Sequence, residues 1–474
     1  VSLVCMLPVL ATLFDMRAQA RSQGNLFVQS FSILRACRDL AAPSPGELVH
    51  ANVLRILATI CVVRRHMDNF DVFKSPGTPL RIRYMPIILM ADDIYAILAT
   101  HLLFRGADLS FKPLWRLLRK WRRLLPIHIF WRYFLLVFWR QIPMHPLIYR
   151  MPPWSDISDD DIYETRKTDV MTPVGGSVDL MLSFPPLDHA GWFIEQYFAF
   201  AFLAVGIWLV SSTSRLGHWI GGCLFCYMVF QLFSQVAEQG AFQGRVADPS
   251  SRANFRIWHF VELREAILYL TTFAWSYFGF DKFVTSSLPA IHTSLGLSAI
   301  IGYALLVASF CMSVFAEPIV PLVSRTPDAP GLFAEALRRV STCIGCLLVV
   351  HDGDANVLVP KRFWIILRVL SLLAYGVALC HSRLVELFFA HYDVSLPEFS
   401  LFVYNTHWAM AVVASWVAAF FLYAFVQRPY SMLLDSICTK EYHRLFSRAA
   451  PSKAGKSNIV QNGPKEEFVN LAGG

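Results

Sequence analysis

Long, nearly uncharged apolar runs dominate this sequence, and they decide what it can fold into. Eleven can be drawn, at about 1–14, 51–66, 84–104, 124–139, 191–211, 217–234, 264–284, 294–316, 336–350, 364–390 and 400–426. In a bilayer every backbone polar group must be satisfied within the protein, so only helices and closed barrels span it. Barrel strands are about ten residues long and alternate in polarity, whereas these runs are continuous. Charged types make up 16% of the 474 residues and hydrophobic types 55%; a soluble domain carries about 25% charged residues. That balance excludes a cytosolic enzyme, a disordered chain and a fibrous repeat. The predicted fold class is all-α: a polytopic transmembrane helical bundle of about 10–11 spans.

The run at 1–14 falls short of the roughly 20 residues that a span needs. No basic residues precede it and no small-residue cleavage site follows. It reads as the end of a clipped transmembrane helix, not a signal peptide. Lys and Arg favour the cytoplasmic side. The strongest basic block is Lys112, Arg116, Arg119, Lys120, Arg122 and Arg123, which places the connection between the third and fourth runs in the cytoplasm. Counting onward puts the acidic stretch 140–190 outside, with Asp156, Asp159, Asp160, Asp161 and Glu164. The basic tail with Lys440, Arg444 and Arg448 then falls inside. Three regions result: 1–50, a clipped helix and cytoplasmic connection; 51–435, a membrane domain; and 436–474, a flexible cytoplasmic tail. The expected location is the plasma membrane or an endomembrane.

The net charge of +8 is explained by this sorting of basic residues, and no nucleic-acid partner is expected. The pairs Cys223/Cys226 and Cys343/Cys346 lie inside apolar runs. They lack the polar loop and extra ligands of a metal or redox site, and read as packing residues. Neither a metal nor a bound cofactor is expected.

A charge within the bilayer is costly, so it normally faces a cavity or a partner. Arg55 and His66 share the second run, eleven residues apart. That is about three helical turns, a rise of roughly 16 Å on one face. Asp92 and Asp93 interrupt the third run, Arg132 lies in the fourth, Glu195 opens the fifth and His381 lies in the tenth. One reading is a catalytic cleft. In it, His66 takes a proton from an acceptor hydroxyl, Arg55 meets an anionic donor or a carboxylate, and Asp92 or Asp93 neutralises it. The other reading is a set of structural polar pairs between helices.

Several segments, in order, resemble the nose-resistant-to-fluoxetine-like proteins, a branch of the acyltransferase 3 membrane family. LATLFDM (10–16) resembles the end of that family's first helix, and FSILRACRDL (31–40) its following FSxxxNxxkL stretch. VLRILATICVVRRH (53–66) resembles GiRxLsmxWVilgH, with Arg55 and His66 at the family's spacing. ADDIYAILATHLL (91–103) resembles sVDtFFflSGlLl, with Asp93 on the Asp. KWRRLLP (120–126) resembles RyxRLtP, with Lys120 and Arg123 on its basic positions. GWFIEQYFAF (191–200), LSLLAYGVALCH (370–381) and VQRPYSMLL (426–434) resemble gWyLanDmQfy, LsrLtYxaYLvH and fExPfxxLE, with His381 on the family's His.

The resemblance implies an acyltransferase 3-like fold. It implies transfer of an acyl group, other than amino-acyl, from cytoplasmic acyl-CoA to a hydroxyl acceptor. His66 would be the base, Arg55 and Asp93 its polar support. Lys120 and Arg123 would meet the donor's phosphates, and Trp192 and His381 would contact substrate. Acyl-CoA is then the donor substrate, and the partners are the lipid membrane and an acyl-CoA or lipid substrate. The sequence also departs from the pattern. Arg65 replaces the Gly before His, Gln427 replaces the final Glu, and Glu195 lies two positions from the family's acidic residue. These losses imply a divergent or inactive homologue. The alternative is a non-catalytic lipid or small-molecule transporter using the same cleft.

Overall fold

The computed structural model describes residues 2–19, 29–42, 48–68, 80–106, 111–138, 192–239, 263–280, 297–316, 329–351, 360–390, 401–434 and 436. Among them the chain is helical, without strands. The helices are α1 (Ser2–Gln19), α2 (Ile33–Ala41), α3 (Val49–Asp68), α4 (Leu80–Phe104), α5 (Lys112–Phe138) and α6 (Trp192–Thr213). They continue as α7 (Arg215–Gln239), α8 (Leu263–Tyr277), α9 (Leu297–Ala316), α10 (Ala329–His351), α11 (Lys361–Ala390) and α12 (Leu401–Leu422). A π-helical turn, Tyr423–Gln427, follows α12 directly.

Each of the eleven apolar runs falls on one of these helices, but three boundaries differ instructively. The basic block is no connection: Lys112 to Arg123 form the first turns of α5, which runs on through Pro126. Proline lacks an N–H, so the carbonyl of Arg122 loses its helical donor at that point. Within the run 264–284, α8 breaks at a turn. It ends at Tyr277, and Gly279 takes a left-handed φ of 72°, a conformation that costs glycine least. The polar second run is a full helix, α3, that starts before its apolar part and ends after it.

Three segments are long and apolar enough to cross a bilayer: Arg215–Ser234, Phe363–His381 and Asn405–Leu434. Many large apolar side chains on them face outward. Trp219 is 75% exposed and Phe230 66%, a cost in water that a hydrocarbon surround removes.

Two cores hold the helices together. The larger joins α3 to α11 and contains an aromatic cluster of Phe104, Trp208, Phe273, Tyr277 and Phe225. The smaller packs Ile56 and Val63 of α3 against Leu373 and Val377 of α11 and Ala411 and Trp416 of α12. Close approach depends on glycines. A Cβ on Gly302 of α9 would lie 2.7 Å from the carbonyl of Gly345 on α10, and one on Gly376 would lie 2.9 Å from Cβ of Ala419. Small residues at crossings let backbones meet and gain dispersion contacts.

Candidate functional site

Two clusters of buried cations lie in the interior, and they differ in kind. In the first, one carboxylate bridges two of the cations. Asp93 on α4 accepts from Arg338 through one carboxylate oxygen and from Arg339 through the other, each at 3.2 Å. All three side chains are at most 4% exposed. Around this bridge are small hydroxyl and thiol contacts. Ser309 lies 2.5 Å from the Thr342 hydroxyl, and Thr272 lies 3.2 Å from the Cys343 thiol. Asp93 thus ties α4 to α10.

The second cluster is Arg55 of α3 with Lys120 and Arg123 of α5. Their charges are close enough to act on one another. Arg55 donates to the Ser371 hydroxyl at 2.7 Å. Lys120 places its ammonium 3.9 Å from the centre of the Tyr197 ring, a favourable cation–π position. Arg123 lies within electrostatic reach of Tyr423 of the π-helical turn. No described carboxylate pairs with any of the three. Each keeps some accessible surface although it lies deep among helices.

Phenols surround this cluster, and their hydroxyls brace the walls. Thr59 donates to the carbonyl of Arg55 at 2.7 Å. Its one proton is thereby used, so in the short contact between the two hydroxyls Tyr95 donates to Thr59. Tyr197 donates to the carbonyl of Ala99 at 3.2 Å, and Tyr375 reaches the carbonyl of Leu124 at 3.5 Å. Helices α3, α4, α5, α6 and α11 therefore each send a side chain to this space. Among the described residues it gathers three basic side chains with no carboxylate against them, in surroundings that strengthen any charge interaction made there.

The residues singled out in the sequence divide accordingly. Arg55, Lys120 and Arg123 come together. Asp93 does not join them; it serves the arginine bridge. His381 is buried, with Nδ1 3.0 Å from the carbonyls of Val377 and Ala378. Carbonyls only accept, so Nδ1 is the donor in these contacts. His66 is in the last turn of α3 and Trp192 opens α6; their side chains lie outside the described residues, as do the side chains of Arg132 and Glu195 and the segment 140–190. Thr100, where the family pattern has Gly, is fully buried with no hydroxyl partner among the described residues.

Sequence reasoning missed Arg338 and Arg339. Both sit inside the run 336–350, so the cost argument that flagged Arg55 applied to them equally. It also missed Arg428, which is 4% exposed and grips the segment around α2. Comparison with protein-family models, with curated proteins and with solved structures finds no match to this chain.

Proposed function

We propose that the chain is a multi-span integral membrane protein of the acyltransferase 3-like kind, which binds the anionic part of an acyl-CoA in its interior and transfers the acyl group to a hydroxyl acceptor. The observation that carries this reading is the Arg55, Lys120 and Arg123 cluster, whose three charges meet no described carboxylate. Phosphates make charge-assisted bonds to such groups, and Arg and Lys suit them by fork and by point charge. The exposed apolar faces of α7 and α12 meet lipid. The tail beyond 436 and the N-terminal turns of α5 lie on the cytoplasmic side, where the donor is found.

In the transfer step the acceptor oxygen attacks the thioester carbonyl. A C–O bond forms, the C–S bond breaks, and His66 takes the hydroxyl proton and returns it to the leaving thiolate. His381, buried beside the carbonyls of Val377 and Ala378, contacts the substrate. Arg55 holds charge on the donor. The test uses purified protein, radiolabelled acyl-CoA and a lipid extract. Transferred label is expected, and His66→Ala should abolish it while membrane insertion stays normal. An unchanged rate removes His66 from the mechanism.

A second reading has its own support. Arg65 before the His and the shifted Glu195 depart from the catalytic pattern, and a carrier of anionic lipid needs only the cation cluster. Flux of such a lipid in proteoliposomes that persists in His66→Ala, with no transferred label, selects this alternative.

A further inference from the structure

The segment around α2 is seated by cations of the bundle, and the way it is held sets it apart from the other helices. Arg428, just past the π-helical turn, donates Nε to Asp39 at 2.6 Å and Nη1 to the carbonyls of Gln29 and Ser30 at 2.8 and 2.6 Å. Arg368 of α11 donates to the carbonyl of Ala41 at 3.0 Å. A cation at the last carbonyls of a helix is favourably placed. Both ends of the segment are therefore gripped through main-chain oxygens. On its other flank, Asp15 of α1 accepts from Arg35 at 2.8 and 2.9 Å and from Ser32 at 3.0 Å.

The latch adjoins the cation cluster through one short turn. The π-helical turn packs against α5 on one side and α2 on the other. Its Tyr423 is within electrostatic reach of Arg123 of the cluster and, less strongly, of Asp39 and Arg428 of the latch. π-helical turns concentrate at functional sites, because their spare residue lets a helix change phase locally. The latch is also suited to release. Asp39 is 51% exposed while the Arg428 side chain is 4% exposed, so salt reaches the pair from the carboxylate side.

We propose that α2 is a latched door: it holds the Tyr423–Gln427 turn against Arg123, and it must lift before an anionic headgroup from the cytoplasm reaches Arg55, Lys120 and Arg123. The door rests on the anion-site reading above and goes beyond it by stating how that site opens. Arg428 and Arg368 are positioning residues; neither touches the ligand.

The experiment measures binding of octanoyl-CoA to the full chain. Asp39→Cys/Arg428→Cys, with Cys37→Ser and Cys438→Ser, is bridged by a short reducible bis-methanethiosulfonate. Association should slow at least tenfold when bridged and recover on reduction. In the unmodified protein, association should level off as octanoyl-CoA rises, and the plateau should match the opening rate of residues 29–42 in hydrogen exchange. Higher salt should raise that plateau. Equal association in bridged and reduced protein, or no plateau with the native chain, overturns the door and leaves the anion site standing. Absence of octanoyl-CoA binding in every form overturns both.

Discussion

Asp93→Asn removes one negative charge from between two guanidiniums and changes almost nothing else in shape. In the native chain the carboxylate accepts one bond from Arg338 and one from Arg339 at 3.2 Å, and the three side chains are 2–4% exposed. Water cannot replace the lost charge. Removing one partner of a buried ion pair costs about 3–5 kcal/mol, mainly because the survivor is left charged and uncompensated. Here two guanidiniums each lose one carboxylate bond. Asn keeps one carbonyl acceptor, so the loss should lie near about 3 kcal/mol, and Asp93→Ala near about 5 kcal/mol. Unfolding by denaturant in mixed micelles, followed by tryptophan fluorescence, measures both. The triple change Asp93→Asn/Arg338→Met/Arg339→Met should recover most of the loss, since an apolar replacement of a whole buried ionic group is often neutral. A loss below about 1 kcal/mol, the range of a surface pair, refutes the reasoning. So does a triple variant no more stable than Asp93→Asn alone.

The other cation cluster should respond with the opposite sign. Arg123→Met removes one of three mutually repelling charges, so it should stabilise the fold by about 0.5–2 kcal/mol while weakening octanoyl-CoA binding at least tenfold in equilibrium titration. Gly345→Ala should cost about 1–3 kcal/mol by overpacking, because its Cβ would lie 2.9 Å from the carbonyl of Gly302; the same micelle unfolding assay reads it. A tag after Ser452 should be protected from impermeant reagents in intact cells, and one beside Asp160 should react. The reverse pattern would invert the bundle.

Helix positions were largely legible, because an apolar run has few alternatives to a helix. Depth and partners were not. Lys120 and Arg123 look like a cytoplasmic connection when charge is counted, yet the helix of α5 carries them inward, where their stems pack and their charges meet Arg55. That convergence joins positions 55 and 123, and no local spacing encodes it. Asp93 could be recognised as a costly intramembrane acid. That its partners stand 245 and 246 residues later could not be read, since pairing across a bundle depends on which helices end up adjacent. Arg428 beside Pro429 looks like an ordinary basic residue at a membrane border. Only the return of 29–42 to the end of α12 gives it acceptors.

The extra residue in the Tyr423–Gln427 turn has a consequence for engineering this chain. A residue advances a helix by about 100°, so this local widening uncouples the phase of everything after it from the face that α12 presents above. Deleting one residue there would keep composition and length nearly intact. The turn would return to an α-helix and Arg428 would keep its direction, whereas one residue deleted from the regular part of α12 would swing its guanidinium by more than a quarter circle, away from Asp39 and the carbonyls of Gln29 and Ser30. Insertions or deletions on either side of this short stretch should therefore be tolerated very differently from those within it.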